Sequence, residues 1–283
     1  MKILENVELK KYTTFNVGGI AKKMYIPESV EELVEICNEN SKLLRYVIGG
    51  GSNLLINDEH DYEGVLCLRE FNQTIENMGD GKYYCGASVR LQKLINTVND
   101  FGMGGIEYLY SVPGLVGGAI VMNAGRGRSY NKCISDYLVG VEVYDNNTRK
   151  IISKDDCDFQ YRDSLFQHKE GLIVLGAIFQ FEPMIKTESD VRKKERMDFV
   201  KKVQDLSCPN FGTVFCQANG HIMEVVKRLH IKKGGICWSP KKSNWLLNKN
   251  QGSYHDCISL IHFVQNIHRF MRKKCKVEVK IWE

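Results

Sequence analysis

No stretch of this 283-residue chain holds the ~18 consecutive apolar residues that a membrane-spanning helix needs. The opening residues, Met1 to Tyr12, carry charges of both signs and no apolar run, which argues against a secretory signal. Ten cysteines are scattered from Cys37 to Cys275, but no two stand as C-x-x-C. They are expected to be reduced, partly buried thiols of a cytoplasmic protein, and no metal site is expected. Strong charge is also missing: a net charge of +5 and a pI of about 8.6 do not call for nucleic acid. The basic stretches Arg192-Lys193-Lys194, Lys232-Lys233, Lys241-Lys242 and Arg272-Lys273-Lys274 lack an interleaved aromatic platform on which bases could stack. They read as solvated faces, or as part of a site for an anionic substrate. There are no internal repeats and no low-complexity tracts. The P-loop pattern G-x-x-x-x-G-K-[ST] and the Rossmann spacing are absent.

Glycine is what the chain has, concentrated in two short stretches. The first is Val47-Ile48-Gly49-Gly50-Gly51-Ser52-Asn53-Leu54-Leu55, and the second is Pro113-Gly114-Leu115-Val116-Gly117-Gly118-Ala119. Glycine is costly to order, so such runs persist where backbone must come close to something or take positive φ. Consecutive amides in a turn form a concave nest for an anion. Two nests suggest a ligand with a central pyrophosphate, such as a dinucleotide; tight structural turns are the alternative. The second stretch continues through Ile120-Val121-Met122 to Asn123-Ala124-Gly125 and is expected to enter an apolar strand on which a flat ring can pack; a helix or strand packed closely against its neighbour is the alternative.

The remaining pattern mixes strands and helices, and its strand–helix–strand opening suggests a small α/β domain ending near Glu63. Ser29 and Glu32 fit a helix capping box, and Val30, Leu33, Val34 and Cys37 share the face that follows. Leu44 to Ile48, Gly64 to Leu68 and Lys82 to Cys85 read as strands. Leu91, Leu94, Ile95 and Val98 repeat at helical spacing. Val139 to Tyr144, Arg149 to Ser153 and Leu172 to Glu182 are expected strands, with Asp145-Asn146-Asn147 as a turn. Met184 to Asp190 reads as a linker and Asp190 to Asp205 as a charged helix. Further helices are marked by Ile222, Val225, Val226 and Leu229, and by Leu260, Phe263, Val264, Ile267 and Met271. Val277 to Trp282 reads as one alternating strand.

In this order the motifs resemble the flavoenzyme family that reduces UDP-N-acetylenolpyruvoylglucosamine in peptidoglycan precursor synthesis. Thr13-Thr14-Phe15-Asn16-Val17-Gly18-Gly19 is similar to the family's opening motif. Gly49 to Leu55 resembles its first flavin-diphosphate loop. Gly105-Ile106-Glu107-Tyr108-Leu109, running into Pro113-Gly114 and Gly117-Gly118-Ala119, resembles the second, and Asn123-Ala124-Gly125 follows. Tyr161-Arg162-Asp163-Ser164-Leu165-Phe166 resembles the Tyr-Arg-x-Ser-x-Phe signature, Pro209 to Phe215 the segment with the catalytic hydroxyl, and Val277-Glu278-Val279-Lys280 the strand with the catalytic glutamate.

The resemblance implies an α+β fold: two α+β FAD-binding subdomains at 1–63 and 64–183 and a smaller α+β substrate-binding domain at 184–283, whose last strand returns to the active site. It implies dissociable FAD, because no histidine lies in either glycine loop, and NADPH as co-substrate. No nucleic acid, membrane or obligate protein partner is implied. The implied cofactor contacts are Gly49, Gly50, Gly51, Ser52, Asn53, Leu54, Pro113, Gly114, Gly117, Gly118, Ala119, Asn123 and Gly125. The implied catalytic residues are Arg162 for the substrate carboxylate, Thr213 for the proton and Glu278 beside the same carbon. Tyr161, Gln217, Lys242 and Asn244 are implied for substrate binding.

Departures from the family pattern concentrate on the substrate side. Thr213 replaces serine, Leu115 stands where a small hydroxyl residue is usual, and Arg126 and Arg128 fall in a stretch that normally reads Ala-Tyr-Gly. Val200 replaces an arginine, Cys216-Gln217-Ala218 replaces Lys-Asn-Pro, and Lys242 replaces a histidine. Three functions fit this pattern: the family reaction on the usual substrate, the same chemistry on another unsaturated anion, or a flavin-binding sensor without catalysis.

Overall fold

Strand formers and small amphipathic helices alternate along the chain, and the computed structural model describes residues 1–39, 45–126, 131–145 and 148–283. Leu44, Asn146, Asn147 and Arg128, each part of an expectation above, lie outside the described residues. In chain order, β1 (Lys2–Glu8) and β2 (Ile20–Ile26) flank a short 3-10 turn at Leu9–Tyr12. Helix α1 (Val30–Glu39), β3 (Val47–Ile48), β4 (Leu54–Ile56) and β5 (Asp61–Cys67) follow. A hairpin of β6 (Ile75–Gly79) and β7 (Lys82–Gly86) leads to α2 (Leu91–Asp100), β8 (Met103–Gly104) and α3 (Val116–Val121). The middle ends with β9 (Leu138–Asp145), β10 (Thr148–Ser153), β11 (Leu172–Gln180) and β12 (Glu182–Pro183). The last third holds α4 (Lys186–Val203), β13 (Phe215–Gln217), α5 (Gly220–Arg228), β14 (Lys232–Lys233), β15 (Ile236–Trp238), β16 (Leu246–Asn248), α6 (Tyr254–Phe270), β17 (Lys276–Val277) and β18 (Lys280–Trp282).

Contacts divide this α+β chain into two units. One comprises Met1–Leu4, Met24–Gly50 and Gly64–Phe199; the other comprises Glu5–Lys23, Gly51–Glu63 and Val200–Glu283. The sequence suggests consecutive blocks at 1–63, 64–183 and 184–283. Contacts group the chain differently because strand partners such as β4 and β18 lie at opposite ends of it.

The first unit is built on an antiparallel sheet of order β10-β9-β11-β7-β6. Both faces are covered, so β9 and β11 are buried almost throughout. Leu172 and Val174 face the larger core with α2, while Ile173 and Leu175 face the smaller core with Leu33, Ile36 and Cys37 of α1. A register shift between Val174 and Gly176 then flips the parity, and Ala177 and Phe179 take over the larger core. Leu91, Leu94, Ile95 and Val98 of α2 are fully buried, as their spacing requires. Helix α4 begins at Lys186, inside the expected linker Met184–Asp190. It is polar around most of its circumference and is laced by Arg192–Glu188 and Lys193–Asp190 pairs, which sustain a helix that lacks a broad apolar stripe.

The second unit packs Phe15, Val17, Leu55, Phe211, Val214 and Phe215 against Leu260, Ile261 and Val264 of α6. Within it β18 pairs parallel with β4, β13 pairs antiparallel with β17, and β14, β15 and β16 form a small antiparallel sheet. The expected single strand Val277–Trp282 is therefore two strands with different partners, broken at Glu278 and Val279.

Candidate active site

The first glycine loop runs across the division between the units at Gly50 and Gly51. On the first unit's side, Arg69 donates from Nε to Gly49 O at 3.1 Å and from Nη2 to Gly50 O at 3.4 Å. Sequence reasoning misses Arg69, because a single arginine after β5 carries no spacing signal. Gly49 and Gly50 do not have positive φ, and a Cβ at either would meet only ordinary contacts: 3.8 Å to Leu115 Cδ1, or 3.6 Å to Leu115 Cγ and Pro113 O. Leu115 thus lies against the first loop, and the two glycine stretches meet. Gly51 is different, with φ +67° and a Cβ position only 1.9 Å from Tyr12 O, so the fold itself demands glycine there.

The second stretch forms α3, a helix packed closely on its neighbour, which is the alternative to the strand. Ala119 N bonds Leu115 O and Met122 N bonds Gly118 O, while Gly117 presses on Ala87 with a Cβ position 2.9 Å from the alanine methyl. Pro113 is exposed at the entry, and Gly114 O accepts the amide of Leu91. Gly118 is exposed, and a Cβ there would touch nothing within 4 Å. In a helix, glycine costs about 1 kcal/mol against alanine. Gly49, Gly50 and Gly118 therefore leave backbone bare where internal packing does not ask for it. That suits a ligand whose phosphates lie against main-chain amides. Glu107, in the preceding motif, is buried and structural: its carboxylate accepts Gly105 N at 3.0 Å and Asn99 Nδ2 at 2.9 Å.

Tyr161 and Arg162 form the tip of a two-residue hairpin closed by reciprocal backbone bonds between Gln160 and Asp163. Arg162 has φ +58°, a conformation that costs a side-chain-bearing residue about 1–2 kcal/mol. Three side chains hold the turn. Asn123 Nδ2 donates to Gln160 O at 2.8 Å, Gln167 Nε2 to Arg162 O at 3.0 Å, and Ser164 Oγ to Val121 O at 2.7 Å. The serine of the signature is therefore an anchor onto the end of α3, and Phe166 enters the core. Arg162 Nη2 donates to Gly125 O at 2.8 Å, and its guanidinium lies 5.9 Å from the Tyr161 ring. Gly125 is bare because a Cβ would strike Lys132 O at 2.3 Å.

In the second unit the structure brings together Thr213, Glu278, Asn53 and the opening motif. Glu278 N donates to Val214 O at 2.8 Å, and Glu278 O accepts Asn53 Nδ2 at 3.3 Å. Glu278 thus sits half-buried at the strand break, beside the segment that carries Thr213 and above the loop residues Ser52 to Leu54. Thr14 ties the same parts: its N donates to Gly51 O at 3.1 Å and its Oγ1 to Asn210 O at 2.7 Å. Asn244 clamps the Thr213 segment from the other side. Its Oδ1 accepts Phe215 N at 3.0 Å and its Nδ2 donates to Phe215 O at 2.8 Å. Those bonds give Asn244 a scaffolding task and leave the amide a second N–H and a second lone pair for a ligand. Lys242 Nζ stands 5.2 Å from the Trp245 ring, Gln217 pairs with Lys276, and Val200 is buried.

Among the described residues no group of three or more His, Cys, Asp or Glu is arranged to hold a metal, and no helix is long and apolar enough to cross a membrane. The ten cysteines are free thiols. Burial pushes the Cys37 and Cys157 thiols up to about 11, which keeps them protonated and inert.

A model of the FAD binding domain matches residues 21–152. The UDP-N-acetylenolpyruvoylglucosamine reductase of Fusobacterium nucleatum is 30% identical over 94% of this chain and 93% of that protein. The enzyme of the same name from Carboxydothermus hydrogenoformans is 34% identical over 94% of this chain and 88% of its own. The solved UDP-N-acetylenolpyruvylglucosamine reductase (MurB) from Thermus caldophilus matches over 100% of both chains, with a TM-score of 0.82 at 28% identity.

Proposed function

This chain belongs to the UDP-N-acetylenolpyruvoylglucosamine reductase family, and we propose that Arg162, Thr213 and Glu278 carry the reduction after which the family is named. The protein is an FAD-dependent oxidoreductase of peptidoglycan precursor synthesis. It oxidises NADPH and reduces the enolpyruvyl group of UDP-N-acetylenolpyruvoylglucosamine to the lactyl group of UDP-N-acetylmuramate. Bound FAD supplies the two-electron carrier chemistry between the two reactants.

The convergence of the two glycine stretches at Leu115, with Gly49, Gly50 and Gly118 bare beyond the needs of packing, is the observation that carries the cofactor assignment. Gly49 to Leu54, Pro113, Gly114, Gly117 to Ala119, Asn123 and Gly125 would hold FAD, without a covalent bond. Mild acid should release the yellow chromophore intact.

Hydride addition at the terminal carbon of the double bond leaves negative charge on the neighbouring carbon and its carboxylate. Arg162, held on its strained turn, is assigned to that charge; a fixed cation acts most strongly where water is excluded. Thr213 is assigned the proton for the neighbouring carbon. Its β-branched side chain has few rotamers, so the Asn244 clamp on the backbone sets where the hydroxyl points. Glu278, whose backbone bonds Val214, is assigned a place beside the same carbon, in the network that a hydroxyl needs to give up its proton. Tyr161, Gln217 and Lys242 are assigned to the sugar nucleotide. Residues 1–63 and 64–183 are assigned to the cofactor, and 184–283 to the substrate. No nucleic acid, membrane or obligate protein partner is given a part, and the work is assigned to the cytoplasm, where thiols stay reduced.

The deciding measurement follows NADPH absorbance with and without UDP-N-acetylenolpyruvoylglucosamine. Oxidation stimulated by the sugar nucleotide is the expected outcome. Flavin that NADPH bleaches but the sugar nucleotide does not reoxidise would refute the substrate.

A further inference from the structure

In the second unit, charge of one sign gathers at the end of the last helix. From Cys257 to Val277 the chain has five lysines and arginines and no aspartate or glutamate, which equals the formal excess of +5 for all 283 residues. Arg269 to Lys274 are six consecutive exposed residues, in the order Arg-Phe-Met-Arg-Lys-Lys. Two of them are large and apolar: Phe270 is 86% exposed and Met271 52%. Among the described residues no carboxylate pairs with Arg269, Arg272, Lys273 or Lys274, and the one side-chain bond these four make is a long one from Arg269 Nη1 to Asn266 Oδ1 at 3.5 Å. Helix α5 adds to this surface. Asn219 N, at its start, donates to His268 Nε2 at 2.9 Å, and Lys233 Nζ, beyond its end, donates to Ser259 Oγ at 2.8 Å, so α5 and α6 run side by side in opposite directions. Met223 and Val226 of α5 are buried, but Val225 and Leu229 stay exposed, as does Phe263 on α6. Around them stand Arg228, Lys232 and Lys233, while the single carboxylate of α5, Glu224, is paired with Lys227.

Large apolar side chains held in water among unpaired cations mark a contact surface. A second copy presented face to face would bring like charges together, which argues against self-association. Cations preorganised by hydrogen bonds suit the fixed carboxylates of a protein, whereas these sit unfixed on long flexible stems. That arrangement suits a fluid layer of anionic headgroups, where the apolar side chains enter the acyl boundary and the cationic tips stay at headgroup level. We infer that the C-terminal turn of α6, together with the exposed face of α5, docks on the surface of an anionic lipid bilayer. The contact is peripheral, since no described helix is long and apolar enough to cross a membrane. The reaction proposed above needs no membrane, and the docking does not depend on it: the bilayer holds the enzyme, not the reactants.

The test follows sedimentation of the FAD-loaded enzyme with vesicles of phosphatidylcholine alone, or of equal parts phosphatidylcholine and phosphatidylglycerol. The parent should sediment with the anionic vesicles only, and added salt should release it. Each Lys or Arg near such a surface is worth about fivefold in partitioning, so combining Arg269→Gln, Lys273→Gln and Lys274→Gln should weaken binding roughly hundredfold. Arg272 is kept, because its φ of +52° makes it a poor place for a substitution. Phe270→Ser, which removes an apolar anchor and no charge, should weaken binding about tenfold. Lys82→Gln, at the exposed start of β7 in the first unit, should change nothing. Flavin content and thermal midpoint establish that each variant is folded. A parent that stays in the supernatant of the anionic vesicles would overturn the docking, and its retention on polyglutamate instead would assign the face to an acidic protein. A Phe270→Ser protein that sediments like the parent would also overturn it, leaving only unspecific charge adsorption, as would a Lys82→Gln variant weakened as much as the triple variant. A parent that is dimeric in solution and becomes monomeric with Phe270→Ser would overturn it in favour of self-association.

Discussion

Alanine at Gly50 and alanine at Gly51 should fail in opposite ways, although the two positions are neighbours. At Gly51 the new methyl would sit 1.9 Å from Tyr12 O on a backbone with φ +67°. The left-handed conformation costs about 1–2 kcal/mol, and forcing the loop off the Leu9–Tyr12 turn adds about 1–3 kcal/mol. For a chain of this size that is a fall in thermal midpoint of roughly 3–8 °C, present in the flavin-free protein. At Gly50 the methyl would make contacts of 3.6 Å to Leu115 and Pro113 and no strain. The flavin-free variant should be as stable as the parent, or gain about 0.4–1 kcal/mol from a less flexible unfolded chain. Its cost appears only on binding. A methyl between the backbone and a phosphate should weaken FAD by about 1–3 kcal/mol, or about five- to 150-fold in Kd. Calorimetry of both flavin-free variants and FAD titration by fluorescence quenching separate the two effects. A Gly50→Ala protein that binds FAD like the parent would refute the idea that this glycine is kept bare for the ligand.

Three other outcomes are expected. Thr213→Val should leave flavin reduction by NADPH intact and slow reoxidation by the sugar nucleotide at least about a hundredfold, the scale of a lost general acid; equal slowing of both half-reactions would remove Thr213 from proton transfer. Asn244→Ala frees Phe215 N and O and should cost about 1–3 kcal/mol of stability, with kcat falling more than KM rises; a rise in KM alone, followed in steady-state kinetics, would make Asn244 a substrate contact after all. Asp145 is held below the usual carboxylate range, first by its bond to Lys150 and then by that to Lys169. A pKa depressed on folding adds stability above the unfolded value and loses it as pH falls through the folded one. Asp145→Asn should therefore lower the thermal midpoint at neutral pH and converge on the parent as acid protonates Asp145 in the folded protein, as scanning calorimetry at falling pH would show.

Legibility in the sequence followed local physics. Helix α2 was readable because Leu91, Leu94, Ile95 and Val98 all meet one core, and β9 and β11 because β-branched runs rarely do anything else. Half of the Ser29–Glu32 box was readable: Ser29 Oγ accepts Glu32 N, but the Glu32 carboxylate turns to Glu28 N. On α5 the apolar face was misplaced. Met223 and Val226 are buried while Val225 and Leu229 are exposed, since the packing direction is set by α6 and not by the helix alone. The same limit applies to Phe263 and Met271 of the last helix segment, both substantially exposed. For α3 the sequence leaves strand and closely packed helix both open, because Gly117, Gly118 and Ala119 have little local preference and Ala87 settles the geometry. The break at Glu278 was invisible for a related reason: a change of strand partner leaves no mark in alternation. For the site, motif order points to Arg162, Thr213 and Glu278. Arg69, Gln167 and the clamping part played by Asn244 depend on long-range backbone acceptors that no spacing encodes.

The pairing of β4 with β18 has a consequence for biosynthesis. Leu54, Leu55 and Ile56 leave the ribosome long before Lys280, Ile281 and Trp282, the strand that pairs with them. Through that whole interval of translation an apolar edge waits for its mate, a liability for any nascent polypeptide. The parallel ladder of the second unit can close only once β18 has been made, and a stop codon anywhere between the two strands yields a chain in which β4 keeps an unpaired edge.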